Sequence, residues 1–286
     1  MSRVILSCGG GMESTATLAL TLYDDRFKSI RPEVVLFCDL GHEWSETYTQ
    51  IEFIKAICAK EGIQFVTITP EVHRGKRKFG EQRTWTDIYT FHVDYQVVPG
   101  ISQKGRRLCT ELFKIAPIQK YLKERYPGEE LTILIGFGSD EKNRIKRGEN
   151  TVPGWTNRFP LDEADMCRCK SIEYMRSIDW PVPRRSGCTF CPFSKRMDIE
   201  VQREVYPAAF QKTLALEQAN RRYNDPVSPF YLFGDKPVEK WLASRRVKRV
   251  RKCKGCGKVV DLSLHVFGDT DLRQKFAEMR AREASA

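Results

Sequence analysis

Four short apolar runs punctuate the first half of the chain: Val4 to Leu6, Glu33 to Cys38, Phe65 to Ile68 and Leu131 to Ile135. They are rich in β-branched residues and mostly apolar on both faces, the pattern of parallel strands covered by helices on either side. Between them the apolar positions recur at helical spacing. Leu18 and Leu22 fall one turn apart in a helix over Ala16 to Tyr23. Ile51, Ile54 and Cys58 share one face of a helix from about Glu46 to Lys60, and Ile118 and Leu122 pair in a helix from about Pro117 to Tyr126. Proline is acceptable at such a start. The alternation predicts an α/β fold, a doubly wound and mostly parallel sheet over residues 1–150, with its ligand at the C-terminal ends of the strands. From Thr151 the texture changes. Pro153-Gly154, Pro160, Pro181 and Pro183 cut the chain into short pieces, and a polar helical stretch follows at about Asp198 to Tyr223. Residues 151–286 therefore read as a cysteine-containing, helical and basic C-terminal extension packed on the first domain.

The first strand runs into Ser7-Cys8-Gly9-Gly10-Gly11-Met12-Glu13-Ser14-Thr15, and a helix follows. Strand, glycine-rich turn and helix start is an arrangement that holds phosphate. Glycines let the backbone approach closely, and the free N–H groups at the helix start point at the anion. The loop is neither G-x-x-x-x-G-K-[ST] nor G-x-G-x-x-G. A flexible glycine turn after an edge strand would look the same locally.

Charge and cysteine content sharpen this picture. The net charge of +11 suits polyanionic partners, nucleotides or nucleic acid, although solubility alone also explains a basic surface. The charge is clustered at Arg74 to Lys78, Lys104 to Arg107, Lys142 to Arg147 and, most densely, six basic residues within Arg245 to Lys252. No apolar run reaches the roughly 18 residues of a membrane helix, and no signal-peptide pattern leads the chain, so a cytoplasmic protein without membrane contact is expected. Ten cysteines in that setting argue for metal or redox chemistry rather than disulfides. Cys8, Cys38 and Cys58 sit in apolar or loop contexts and read as packing residues. Cys109 stands beside Arg106 and Arg107 just ahead of a helix, and both effects favour its thiolate. Cys188-Thr-Phe-Cys191-Pro192 presents two thiols in a way common at metal sites. Cys253-Lys-Gly-Cys256 looks like half a zinc ribbon, and Cys167, Cys169 or His265 would have to complete it. His73, His92 and His265 read as surface residues, and His42 either as a surface residue or as one facing a nucleotide.

The first loop resembles the PP-loop of the adenine-nucleotide alpha-hydrolase superfamily, usually S-G-G-x-D-S, with Glu13 where aspartate is usual. Asp39-Leu40-Gly41-His42-Glu43-Trp44-Ser45-Glu46-Thr47 resembles the D-T-G-x-E-x-x-E-T segment of the phosphoadenosine phosphosulfate (PAPS) reductase family, matching at Asp39, Gly41, Glu43, Glu46 and Thr47. Gly136-Phe-Gly-Ser-Asp140-Glu141-Lys-Asn-Arg144 is similar to the family's G-x-R-x-x-E-S-x-x-R turn, with Gly138 in place of arginine. Ser186-Gly-Cys188-Thr-Phe-Cys191-Pro-Phe is close to its S-x-C-x-x-C-P-F. The four motifs occur in family order between residue 4 and about residue 195.

The resemblance implies an enzyme that splits ATP, or binds a related adenine nucleotide, at the alpha-phosphate. Ser7, Gly9, Gly10, Gly11, Glu13, Ser14, Thr15, Gly136, Asp140 and Glu141 would form the nucleotide site. Asp39 or Glu43 would bind Mg2+, and Arg144 would stabilise charge on the leaving group. Cys109, Cys188 and Cys191 would hold a 4Fe–4S iron–sulfur cluster with one open iron for sulfide from a sulfur donor. Cys167 or Cys169 could instead close that site, and structural zinc or inert thiols remain alternatives. The expected reaction adenylates a substrate, most simply a nucleobase in tRNA or DNA, for sulfur insertion. Sulfonucleotide reduction and a non-catalytic nucleotide-binding module are the alternatives. Against reduction, an E-C-G-x-H-like tail is missing and Thr110 stands where adenylyl-sulfate reductases pair two cysteines. A homodimer is a further expectation.

If the basic run tracks a phosphate backbone, neutralising Arg245, Arg246, Arg249 and Arg251 should flatten the salt dependence of nucleic-acid binding by about 0.7 to 0.9 in log–log slope per lost phosphate contact. Affinity titrations at several salt concentrations measure it, and nucleotide affinity should be unchanged.

Overall fold

The structure is a computed structural model and describes residues 2–100, 107–148, 152–244 and 250–285. Five parallel strands form the central sheet: β1 (Arg3–Cys8), β2 (Val34–Cys38), β3 (Gln64–Ile68), then, after a small antiparallel hairpin of β4 (Val72–Arg74) and β5 (Arg83–Trp85), β6 (Leu131–Ile135) and β7 (Trp155–Arg158). Their order is β3-β2-β1-β6-β7, so the chain winds outward from β1 in both directions. The register sets Ser7 opposite Leu36 on one side and Ile135 on the other. The α/β class and the parallel sheet agree with the apolar pattern.

Successive residues along a strand face opposite sides. Val4, Leu6, Cys8, Val35 and Phe37 pack on one face with α1 (Met12–Tyr23), α2 (Ser45–Lys60) and the helix Arg168–Ser177. Ile5, Val34, Leu36 and Cys38 pack on the other with Leu122 and Tyr126 of the helix Ala116–Arg125 and its C-cap. Both faces are apolar because both are covered.

Three features depart from the apolar pattern. The fifth strand, Trp155–Arg158, lies beyond residue 150. The single helical stretch expected at 198–223 is two helices, Arg196–Val205 and Pro207–Gln218. Pro207 lacks the N–H that would continue the first helix, and it starts the second. The helix beginning at Leu108 contains a π-helical turn, Glu111–Ile115, directly before Ala116-Pro117. Pro117 cannot donate to the carbonyl of Phe113, and the buried Cys38 thiol donates to it instead at 3.0 Å. Burial pushes that thiol up to about 12, so it keeps the proton the bond needs.

The C-terminal region caps the strand ends. Leu40 and Phe113 from the sheet side share a core with Cys188, Phe190, Ile199, Phe210 and Trp241. Beneath it, fully buried Asp198 accepts from Arg184 at 2.7 Å, from Arg185 at 3.0 Å and from the Lys195 N–H at 2.7 Å. The Arg184 guanidinium also lies 3.8 Å over the Trp44 ring.

Asp198→Ala should cost about 3–5 kcal/mol, because it strands a buried guanidinium. The apolar pair Arg184→Met/Asp198→Leu should cost less than the single change. Urea unfolding of the two variants checks the order.

Candidate functional site

The glycine loop joins the end of β1 to the start of α1 at the C-terminal edge of the sheet. Its close approaches explain its glycines. Gly10 has a φ of +66°, and a Cβ there would lie 2.9 Å from Thr47 Cγ2 on α2. A Cβ on Gly11 would lie 2.6 Å from Ser186 Oγ. A Cβ on Gly136 would lie 2.7 Å from the backbone of Glu13. The loop is thus pressed between the second motif, the third motif and the Ser186-Gly187-Cys188 segment. Ser14 Oγ accepts from the Gly9 N–H at 3.3 Å and donates to the Gly11 carbonyl at 3.1 Å. Gly11, the N-cap of α1, has no capping side chain, which leaves the amides of the first turn for an anion.

Glu43, a candidate catalytic residue from its motif, sits in the interior. Its carboxylate accepts from the Gly187 N–H at 3.0 Å and pairs with Lys114 at 3.2 Å. Burial alone would lower the Lys114 ammonium, but Glu43 beside it holds it above its ordinary range. Thr189 N–H donates to the His42 carbonyl at 2.9 Å, fastening the same two segments again. His42 itself pairs with Asp87 at 2.6 Å. Asp39, at the end of β2, is half-buried and accepts from the Gly41 N–H at 2.9 Å and the Tyr48 hydroxyl at 2.8 Å.

Arg144 of the third motif stands near Arg107, which adjoins the thiols. Arg144 pairs with Glu141, and its guanidinium lies 4.1 Å over the Phe137 ring. Arg107 lies 3.9 Å over the Phe193 ring. Burial lowers the Arg107 guanidinium, and nearby Arg144 and Arg147 lower it further. The thiols of Cys109 and Cys191 stand close enough to Arg107 to oppose this.

Cys109, Cys188 and Cys191 share one apolar cluster. Cys109 does not have the thiolate character its neighbours in sequence suggested: burial and the nearby Cys191 push it up. The hydrogen bond with Cys188 instead draws Cys191 down to about 7, helped by the Phe193 N–H and Arg185, while Cys188 is driven well above its ordinary value.

A second basic group was not visible in sequence order. Glu13 pairs with Arg168 at 2.6 Å. Burial lowers the Lys195 ammonium, and Arg185, Arg251 and Arg168 near it lower it further. Among the described residues, the Nε atoms of Arg168 and Arg185 are buried without a partner. Arg185 and Ser186 adjoin the C-x-x-C motif, so their place in the chain was the available signal. Of the densest basic run, Arg251 lies near this group, and residues 245–249 lie outside the described residues. Between the third motif and the loop at Lys254 is a shallow depression of about 370 Å³, lined by Asp140, Glu141, Lys142, Asn143, Arg144 and Lys254.

Cys167, Cys169, Cys253 and Cys256 also meet. Their sulfurs all lie within 4.8 Å of one another, the one such group of three or more ligating side chains among the described residues.

The phosphoadenosine phosphosulfate reductase domain matches residues 3–158, more than half of the chain. The chain belongs to that family. Two relatives in Methanocaldococcus jannaschii, the uncharacterized proteins MJ0066 and MJ0973, are each 25% identical over 226 and 215 residues. The matches take in 73% and 72% of this chain but only 40% and 45% of those proteins, so the chain spans less than half the length of these relatives. Among solved structures, the U34-tRNA thiolase NcsA from Methanococcus maripaludis with its 4Fe–4S cluster is 12% identical, with a TM-score of 0.39 over 90% of this chain and 76% of that one. In this PAPS reductase family member, the loop of residues 7–15, the acidic turn after β2 and the turn after β6 converge at one edge of the sheet.

Glu43→Gln should loosen the join between the acidic turn and the thiol loop. The expected loss is about 1–3 kcal/mol in urea unfolding. Cys188 should react faster with a thiol reagent than it does in the parent protein, measured by mass spectrometry.

Proposed function

We propose that this protein binds ATP, or a related adenine nucleotide, at Gly9 to Thr15 and adenylates a nucleic-acid substrate for sulfur transfer. The contact of Ser186 with Gly11 carries the reading, because it brings the segment that bears Cys188 and Cys191 against the glycine loop. The amides at the start of α1 and the guanidinium group of Arg185 hold the phosphates. A substrate oxygen attacks the alpha-phosphorus, its bond to the bridging oxygen breaks, and pyrophosphate leaves with that electron pair. A sulfur nucleophile then displaces AMP from the activated carbon. Arg107 and Arg144 balance the charge that develops on the departing groups. Glu43 acts as a positioning residue, since both of its oxygens are engaged within the fold. Asp39 offers the carboxylate for Mg2+, which would neutralise phosphate charge.

Cys109, Cys188 and Cys191 fit a group held by three thiolates, as three free thiols in one cluster. An iron–sulfur cluster bound there would supply iron for sulfur chemistry. Family membership and the arginines beside the thiols also support a second reading, reduction of a sulfonucleotide to sulfite.

Pyrophosphate release from ATP, with and without tRNA or DNA, tests the first reading, and sulfite release from PAPS with a dithiol tests the second. Gly10→Val should weaken nucleotide binding at least about tenfold, or about 1.4 kcal/mol, because the branched side chain meets Thr47 and Ile51. Unchanged affinity in a folded Gly10→Val protein would place the nucleotide elsewhere.

A further inference from the structure

The four-cysteine group is built from two distant stretches of chain. Cys167 is the N-cap of the helix Arg168–Ser177 and Cys169 lies in its first turn. Cys253 and Cys256 lie in the turn between β8 (Val250–Lys252) and β9 (Val259–Asp261). That turn is tight: Cys253 N–H donates to the Lys258 carbonyl at 2.8 Å, and Gly257, with a φ of +73°, donates to the Cys253 carbonyl at 3.0 Å. It also lies directly on the helix start, because a Cβ on Gly255 would fall 2.4 Å from the Cβ of Cys167. Three of the four cysteines are buried, and among the described residues Val260 is the only other apolar residue packed with them. Hydrophobic burial therefore gives this corner little reason to close.

The sulfur spacing selects the ligand. A tetrahedral ion with Zn–S bonds of about 2.3 Å sets its four sulfurs about 3.8 Å apart. A four-iron cubane carries each thiolate on a different iron, so its sulfurs radiate from separate corners and stand much farther apart. Separations all within 4.8 Å fit one ion at the centre and not a cubane. Four thiolates also complete the coordination shell, which leaves no open position for chemistry.

We infer that Cys167, Cys169, Cys253 and Cys256 bind one structural Zn2+ that fixes Arg168 against Glu13 of the nucleotide loop. Arg168 stands between two of the ligands. Its guanidinium pairs with Glu13 at 2.6 Å and donates to the His265 carbonyl at 3.0 Å. Clasping the C-terminal turn to the helix start therefore sets the side chain that holds the first turn of α1. The zinc assignment stands apart from the proposed reaction, and only the effect on nucleotide rests on it.

Elemental analysis of the full chain should give one zinc per protein that Cys253→Ser/Cys256→Ser loses and Cys188→Ala keeps. Cys256→His, which leaves a Cys3His set, should retain it. Cobalt(II) added to the metal-free parent protein should give the visible spectrum of a tetrahedral thiolate complex, a readout independent of whether the double variant folds. Arg168→Ala should keep zinc and weaken ATP binding several-fold. Zinc retained by the double variant, or iron and acid-labile sulfide lost with it, overturns the assignment. Unchanged ATP affinity in Arg168→Ala overturns the link to Glu13. Absence of ATP binding in the parent protein counts against the proposed function and leaves the zinc measurement to decide the site.

Discussion

A single buried carboxylate ties the site together. Glu43 takes one N–H from the thiol loop and one ammonium from the π-helical turn, so three segments far apart in sequence meet at its two oxygens. An interior carboxylate is tolerated only when paired and hydrogen bonded. The pairing is therefore also a constraint on position. The turn after β2, the turn at Glu111–Ile115 and the Gly187-Cys188 loop must assemble together or leave a charge stranded. The Ser186 contact with the glycine loop follows from that assembly.

Asp198 acts in the same way at the next layer down. It gathers Arg184, Arg185 and the start of the helix Arg196–Val205. Arg184 then supports Trp44 of the acidic turn from below. The two carboxylates give the capping region its registry with the sheet, and hydrophobic packing around Phe113, Phe190 and Trp241 adds area without direction. This explains how short, proline-broken pieces can present functional groups at fixed places.

Most of the sheet was legible in the chain because its first four strands are mostly apolar runs, and the central β1, β2 and β6 are covered on both faces. The fifth, Trp-Thr-Asn-Arg, is an edge strand with one covered neighbour and carries no such run. The hairpins β4–β5 and β8–β9 have three-residue strands, too short for periodicity to register. The glycine loop and the two acidic turns stand out in the chain because their patterns are local, and the structure sets them close together. The thiol of Cys109 could not, since its environment is set by burial and by Cys191 rather than by its own arginine neighbours. The meeting of Cys167 and Cys169 with Cys253 and Cys256 was open in the sequence only as one of several pairings, because nothing local to either pair specifies its partner.

The bond from the Cys38 thiol to the Phe113 carbonyl has a consequence for how this sequence can drift. A proline at 117 removes a main-chain donor, and a side chain at the end of a neighbouring strand makes good the loss. Neither residue is explained by its own surroundings alone. A relative with an ordinary amide at 117 has no use for a donor at 38, and one that loses the thiol has reason to lose the proline. The two positions are therefore expected to vary as a pair in an alignment, although they lie seventy-nine positions apart in the chain.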